Sequence, residues 1–589
     1  MNKLHFMMAW ILAAFFLMPV MGYAQNDERP IPAQSPVYDW LAELFAAQGQ
    51  TLPTRFGPST TAQIKWELSL LNRASLDPAL ENLYTAVENQ VTPRPLLYKE
   101  GGKDGFAARI GQQFNPEAYS SVGSAFLPWF YNYNDRPPLY SLSLEGWLQR
   151  WAWATFDLNV QKGYFVDLDQ TQPISNFPGN VGELDFQWPD WAGLVIGGKH
   201  WDLRFLRGKV RTQAGFTNAA LSTDLGIVDQ IGFSTWWRGF TYTFLTIPFS
   251  DYPIDPSQTY YGGYYKTAAI DQQASQNSNG GSEFTPATTT YYILHRLDFR
   301  LFDKLTLTVN EILLVNMASF DPQYFNPFYP GHNWLLQSNA NSDISLDIDW
   351  AAFPGLNLYG QIYGDYIRTA FKNTEYSDKN PLAMAYLLGL RHVWTAQGAV
   401  WTLQAEGTYA DPFLYLNPDV NAVYYQRYQS TYDGSNGHGI FIIPHPFGLG
   451  TGPDAVTGTL KLTIERARNW KLSLTTPFTA QGENSVLTTA PTLQYLTPDG
   501  TTTTTTNPLY GTSAYLGWIS PTGTPTYTQQ LILSGALGPD LLQNTWLSPW
   551  GAESSLGLSL DFAIVWNQNH TISGPTSDLQ TALTWKNRW

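Results

Sequence analysis

The chain has no cysteine among its 589 residues, which excludes disulfide frameworks, thiol chemistry and thiolate metal sites. Charge is scarce: Asp, Glu, Lys and Arg make up 14% of the residues, against roughly a quarter in soluble proteins. The charge present leans acidic, 48 Asp and Glu against 33 Lys and Arg. That balance argues against a nucleic-acid partner, which needs a basic stripe. Long apolar runs are missing as well. After Ala24 no stretch of about 18 apolar residues occurs, so no transmembrane helix is expected. There is no H-E-x-x-H, G-x-S-x-G or P-loop, and the histidines make no metal-spaced pair. These absences point away from an enzyme, and no metal or cofactor is expected.

Aromatic residues are abundant instead, with 23 Trp, 34 Tyr and 32 Phe. A disordered chain cannot bury so many rings. The first 24 residues read as a secretory signal peptide: Lys3 supplies the positive start, Phe6 to Met21 the apolar stretch, and Gly22-Tyr23-Ala24 the small residues before a cut. Residues 25–35 are polar and Pro-rich, a flexible leader. Three helical patterns follow. Val37, Leu41, Leu44 and Phe45 share one face before Gly49. Ile64, Leu68 and Leu71 share a second. A third helix opens with Asp77 as N-cap and Pro78 at its first position. Residues 36–91 therefore predict a small helical bundle, with a linker to 105.

From about residue 138 the apolar period changes from 3.6 to 2. Leu297, Phe299 and Leu301 alternate with Arg296, Asp298 and Arg300, and Asp303-Lys304 turns the chain. Ile344, Leu346, Ile348 and Trp350 alternate with Ser345, Asp347 and Asp349, and Pro354-Gly355 makes the next turn. Leu460, Leu462 and Ile464 alternate with Lys461, Thr463 and Glu465. Half-polar strands of about ten residues, joined alternately by tight turns and long loops, are the signature of a transmembrane β-barrel. Lipid cannot satisfy a sheet edge, so such a sheet must close. The expected fold is an antiparallel outer-membrane β-barrel spanning 106–589, of about 18 strands (16–20), behind a periplasmic helical bundle. The long connections 251–289, 411–455 and 478–527 would be extracellular. Two places break the pattern. Arg207 to Arg211 interrupts the phase set by Leu203 and Phe205, marking a turn or bulge. Glu311 falls on the apolar side of its strand, which requires a bulge or a shifted register there.

The last strand places Leu579, Thr581, Leu583, Trp585, Asn587 and Trp589 on one face. A terminal strand ending in an aromatic residue resembles the assembly signal of bacterial outer-membrane proteins, with Asn587 departing from the usual hydrophobic residue. Trp585 and Trp589 are the residues assigned to it. Several stretches in order resemble the Wzi-like capsule-assembly family: Val37-Tyr38-Asp39-Trp40-Leu41 with a second helix near Thr60, then Pro178-Gly179 through Trp188-Pro189. Lys199-His200-Trp201 and Leu206-Arg207-Gly208 continue the likeness, as do Phe325-Asn326-Pro327-Phe328-Tyr329 and the unit from Asp347 to Tyr366. The resemblance implies an 18-stranded barrel, a periplasmic helical bundle, a lumen narrowed by inward loops and a role in holding exopolysaccharide.

Two groups of residues are candidates for function. Arg296, Asp298, Arg300, Asp347, Asp349, Lys461 and Glu465 point into the lumen, where charges of both signs set pore selectivity or simply pair and hydrate the interior. The loop from Phe320 to Trp334 holds Asp321, Tyr324, Asn326, Phe328, Tyr329, Asn333 and Trp334. Its rings suit the C–H faces of sugars and its polar groups suit hydroxyls, or the loop packs on itself as a constriction. The expected partners are outer-membrane lipid, the barrel-assembly machinery and surface polysaccharide. The expected function is non-enzymatic polysaccharide binding or assembly; the alternative is a porin or uptake channel for small polar solutes.

Overall fold

The structure is a computed structural model. It describes residues 27–92, 97–98, 106–123, 137–148, 151–162, 175–179, 181, 184–187, 189–212, 214–249, 254–260, 264–267, 289–319, 321–328, 340–366, 383–416, 420, 422–432, 437–486, 519–549 and 552–589. The signal peptide expected at 1–24 lies outside the described residues. No helix among the described residues is long and apolar enough to cross a membrane.

Eighteen antiparallel strands form a closed barrel. β1 is bent, Phe106–Phe114 continuing as Glu117–Gly123, with Asn115-Pro116 at the bend. Next come β2 (Tyr140–Leu148), β3 (Ala152–Lys162) and β4, itself in two pieces, Leu184–Gln187 and Ala192–Gly198. They are followed by β5 (Trp201–Gly208), β6 (Val228–Trp237), β7 (Phe240–Phe249), β8 (Thr289–Leu301) and β9 (Leu305–Met317). Then come β10 (Ala340–Phe353), β11 (Leu356–Tyr366), β12 (Ala383–Ala396), β13 (Ala399–Ala410) and β14 (Ala455–Arg466). The wall ends with β15 (Trp470–Gln481), β16 (Thr526–Leu537), β17 (Glu553–Trp566) and β18 (Thr576–Arg588). Each strand pairs with its successor. β18 closes on β1, with Asp578 opposite Gly123 and Arg588 opposite Gln113.

The alternation in the sequence decides which way each side chain points. Leu346 is 51% exposed on the outer face, whereas Asp349 is 5% exposed inside. Outward Ile348, Trp350, Leu388, Leu558 and Leu583 are exposed with Leu346, an apolar band that only lipid can cover without cost. Tight turns gather at one end. At Gly355 the turn needs φ +89°, and a Cβ there would strike the Val393 carbonyl at 2.6 Å, so glycine is required.

Three helices close that same end: α1 (Val37–Ala47), α2 (Thr61–Ser69) and α3 (Pro78–Val91). Thr60 caps α2 by accepting from the Gln63 N–H, and Asp77 caps α3 by accepting from the Ala79 and Leu80 N–H groups. The bundle is not a separate body ahead of the barrel. Leu41, Leu44, Ile64, Leu83 and Val87 share one core with Val393 and Val400 of the barrel wall. The Gly355 N–H donates to the Ala46 carbonyl at 2.7 Å, joining the bundle to a turn. Residues 27–35, expected as a flexible leader, are packed down. Glu28, Ile31 and Ala33 are buried, because Ile31 donates its N–H to Ser59 and the segment lies against α2.

Candidate functional site

The lumen is filled from both ends by the chain itself. From the helical end, residues 50–60 run inward as a bonded finger. Arg300 donates to the Thr51 carbonyl at 2.9 Å and to the Gln50 side chain at 2.8 Å. The Thr54 hydroxyl donates to Asp298 at 2.7 Å, and Arg55 is ion-paired with Asp349. Arg204 donates to the Pro58 carbonyl. The lumen charges picked from the sequence all point inward, and the structure shows their partners. Arg296 pairs with Asp298 at 2.8 Å and with Asp347 at 3.6 Å, while Lys471 pairs with Glu465 at 3.3 Å. Lys461 lies near Asp39, Glu43 and Lys471. Sequence alternation found these charges. The finger residues that neutralise several of them gave no signal, because Thr54 and Arg55 sit in an irregular segment.

From the opposite end, the chain leaves β5 at Gly208 and folds into the barrel over residues 209–212 and 214–227. The break in phase at 207–211 marks this departure. Thr217 donates to Glu406 at 2.7 Å, Ala219 donates its N–H to Gln361 at 2.6 Å, and Tyr415 donates to the Ala219 carbonyl at 2.8 Å. Gly215 lies so close to Glu406 and Tyr359 that a Cβ would fall within 2.1 Å of each. Val210, Leu221 and Leu225 join Phe56 of the finger, Tyr292, Tyr363, Tyr415 and Phe447 in a core inside the barrel. The inward loop and the plug then clasp each other. Gly57 and Arg211 exchange backbone hydrogen bonds at 2.8 Å, and Arg211 pairs with Asp39 at 2.7 Å.

Between finger and loop lies a cavity of about 30 Å³ lined by Arg55, Asn218, Arg296, Asp347, Tyr359 and Gln361, with Ile348 and Leu387 among its apolar walls. That is room for about one or two waters beside its polar side chains. The plug also holds buried carboxyl groups. Burial, together with Asp202 and Asp27, pushes the Glu28 carboxyl up to about 10. Burial pushes Glu67 up to about 8, against a hydrogen bond from Gln63. Glu43 is raised by burial and by Glu465, and Thr402 donates to it at 2.8 Å.

The described part of the aromatic loop, 321–328, is not in the lumen. Residues 321–328 fold as a strap over the outer face of the wall. Tyr324 is buried there in a cluster with Tyr242, Phe244, Ile293, Leu313 and Val315. Phe325 meets Tyr291 edge-on at 5.0 Å, and Phe328 stacks on Tyr242 at 6.3 Å. The Tyr242 hydroxyl donates to the Pro327 carbonyl. Tyr324 therefore packs into the wall, and the segment is not a lumen constriction over these residues. Phe328 and Asn326 are exposed, and Asp321 caps the short turn through Gln323. Tyr329, Asn333 and Trp334 lie outside the described residues. The strap also explains Glu311. No bulge occurs, since β8 and β9 pair without interruption from Thr289 opposite Met317 to Leu301 opposite Leu305. Glu311 points outward, 4.0 Å from His295, beside the wall that the strap covers.

At the long-loop end, four short strands form a second sheet in the order Ile254–Tyr260, Tyr264–Thr267, Gly437–Pro446, Val423–Tyr432. Their sequences include Tyr260, Tyr264, Tyr265, Tyr424, Tyr425, Tyr428 and Tyr432. The periodicity of 2 in single segments did not reveal this sheet, since its strands come from two connections far apart in sequence. The loop after β15 is pinned by Asp454, which accepts from the Asn484 and Thr522 N–H groups at 3.1 and 2.9 Å.

No protein-family model matches the sequence, and no curated protein matches it. Solved structures do. The chain is similar in fold to Wzi of Escherichia coli, described as an outer-membrane protein involved in group 1 capsule assembly and a carbohydrate-binding β-barrel. The two align with a TM-score of 0.53 over 95% of this chain and 99% of that one, at 11% identity. OprD of Pseudomonas aeruginosa aligns at 0.36 with 8% identity, covering 82% of this chain and 95% of its own. OccD3 of the same organism aligns at 0.37 with 8% identity, over 84% and 93%. At 11% identity the first of these establishes a shared barrel fold.

Proposed function

We propose that the protein is a non-enzymatic outer-membrane barrel that holds or helps assemble surface polysaccharide. In this reading residues 1–24 are removed on export, the helical end faces the periplasm and the tyrosine-rich rim sheet faces outside. The observation that carries it is the filled lumen. A finger from one end and a loop from the other meet at Gly57 and Arg211, and Arg211 also pairs with Asp39 of α1. Several charges that would tune a pore are already bonded to that filling. Such a barrel is a rigid platform with adaptable loops, a common way to place a binding surface. Tyrosine rings can stack on sugar C–H faces while their hydroxyls bond sugar hydroxyls. The fold likeness to a carbohydrate-binding barrel supports the same reading. Lipid and the barrel-assembly machinery are its other partners.

The test has two arms. In a planar bilayer, purified protein should pass no steady current. In cells, Tyr428→Ala with Tyr432→Ala should move polysaccharide from the surface into the medium at unchanged outer-membrane protein level. Large open-pore currents with normal retention would replace this reading by a solute channel.

A further inference from the structure

The connection between β16 and β17, residues 538–552, lies at the helical end, where most other hairpins turn in a few residues. It is a built element. Gly538 donates its N–H to the Asn469 carbonyl at 2.6 Å, and Pro539–Leu542 make one helical turn. Arg468 pairs with Asp540 at 3.1 Å and with Glu553 at 3.2 Å. The segment then wraps onto the outer face of the last strand. The Trp585 indole donates to the Leu547 carbonyl at 3.0 Å, and the Trp589 indole donates to the Pro549 carbonyl at 3.3 Å. Trp546 meets Trp585 edge-on at 6.5 Å yet is 82% exposed, and Leu541 is 47% exposed.

Trp585 follows outward Leu579 and Leu583, which are exposed in the apolar band. The segment therefore continues that band at its lower border. Other exposed rings mark the same border around the barrel: Trp201, Trp237, Phe302 and Phe353 all stand at or beside strand ends on the helical side. Trp and other rings collect at membrane–water boundaries because one part is apolar and another polar. The sole charged residue in 538–549 is Asp540, and it is already paired. We infer that 538–549 is a membrane foot, with Leu541 and Trp546 seated in the headgroup–acyl boundary of the leaflet on the helical side. Its partner is a zwitterionic phospholipid interface, engaged by apolar burial rather than by charge.

The cysteine-free chain makes a clean test. Full-length protein carrying a single nitroxide at Leu541→Cys or Gln543→Cys is placed in phosphatidylcholine vesicles. Collision with oxygen is compared with collision with a water-soluble nickel chelate. Leu583→Cys gives the lipid reference and Ala74→Cys, exposed on the plug, the aqueous one. The oxygen-to-nickel ratio at position 541 should exceed that at 74 several-fold and approach that at 583. Equal ratios at 541, 543 and 74 would overturn the proposal. So would a strongly immobilised label shielded from both reagents, which would mean a protein partner covers the foot. Heat-modifiable mobility of each variant confirms that it folds, and the two foot positions guard against one disturbing substitution.

Discussion

Adjacent residues on one strand live in different solvents here. Leu346 faces lipid and Asp347 faces a packed, polar interior. Leu346→Arg should cost about 2–4 kcal/mol if it sits near the membrane midplane. The alternation alone would make Asp347→Asn nearly free, as for a residue facing water. The structure changes that expectation, because Asp347 accepts from Gln361 at 2.8 Å and Ser345 at 3.1 Å beside Arg296. Asp347→Asn should cost about 1–2 kcal/mol, less than the arginine because Asp298 still pairs with Arg296. A refolding titration of both variants separates these outcomes; a cost near zero for the asparagine would mean a hydrated lumen at that level. Glu67 offers a second check at this scale. Its carboxyl is raised to about 8, so its neutral form is the one the plug prefers. A raised carboxyl contributes its stability below the ordinary value of 4.5, and that contribution is lost as pH rises towards about 8. The slope is about 1.4 kcal/mol per unit at most. Hydrogen exchange of α2 should therefore quicken from pH 5 to pH 8 beyond the intrinsic chemical dependence. Glu67→Gln should make that part shallower without abolishing it, because Glu28, raised to about 10, loses its contribution across the same range and beyond it. An unchanged profile in the variant would show that Glu67 is solvated.

At the scale of elements, regular pieces were legible in the sequence and irregular ones were not. The capping of α3 by Asp77 and the strand faces around Leu346 follow from local chemistry and a period of 2 or 3.6. What fills the barrel does not, because its contacts are remote. Arg55 meets Asp349 across 294 positions, and no periodicity links an irregular segment to a strand so distant. The strap shows the same limit. Its aromatic content suggests a sugar surface or a constriction packed on itself, and only the fold places Tyr324 against the outer wall. Tyr324→Ala with Phe328→Ala should lower barrel stability by about 3 kcal/mol or more, mostly from the buried Tyr324, while surface polysaccharide stays attached. Shedding without loss of stability would return the strap to the role of a sugar platform. Trp589 can be judged likewise. Its backbone exchanges hydrogen bonds with Gln112 at 2.9 and 3.2 Å across the closing seam, beyond the indole bond to Pro549. Deleting it should lower the folded, heat-modifiable fraction in outer membranes. Asn587, on the strand's lipid-side phase, is 1% exposed and accepts from Ser554 at 2.8 Å, so an amide is tolerated where a hydrophobic residue is usual.

For the whole molecule, the wall and its filling are held by different means. The wall is a continuous hydrogen-bonded ladder closed by β18 on β1, and removing the filling leaves every ladder bond in place. The filling is held by a core shared with Val393 and Val400, and by ion pairs such as Arg55–Asp349 and Arg211–Asp39. Buried pairs lose most when one partner goes, because the other charge is left without compensation. Arg55→Ala with Arg211→Ala leaves Asp349 in that state, takes its partner from the half-exposed Asp39, and weakens the clasp between plug and inward loop to its Gly57–Arg211 backbone bonds. The double variant should keep its heat-modifiable folding while the plug exchanges with an open form. In a planar bilayer this should appear as intermittent current steps that wild-type protein lacks. A silent double variant that folds normally would mean that the apolar core alone keeps the plug seated. A wild-type protein with the same currents would mean that the clasp never closed the barrel.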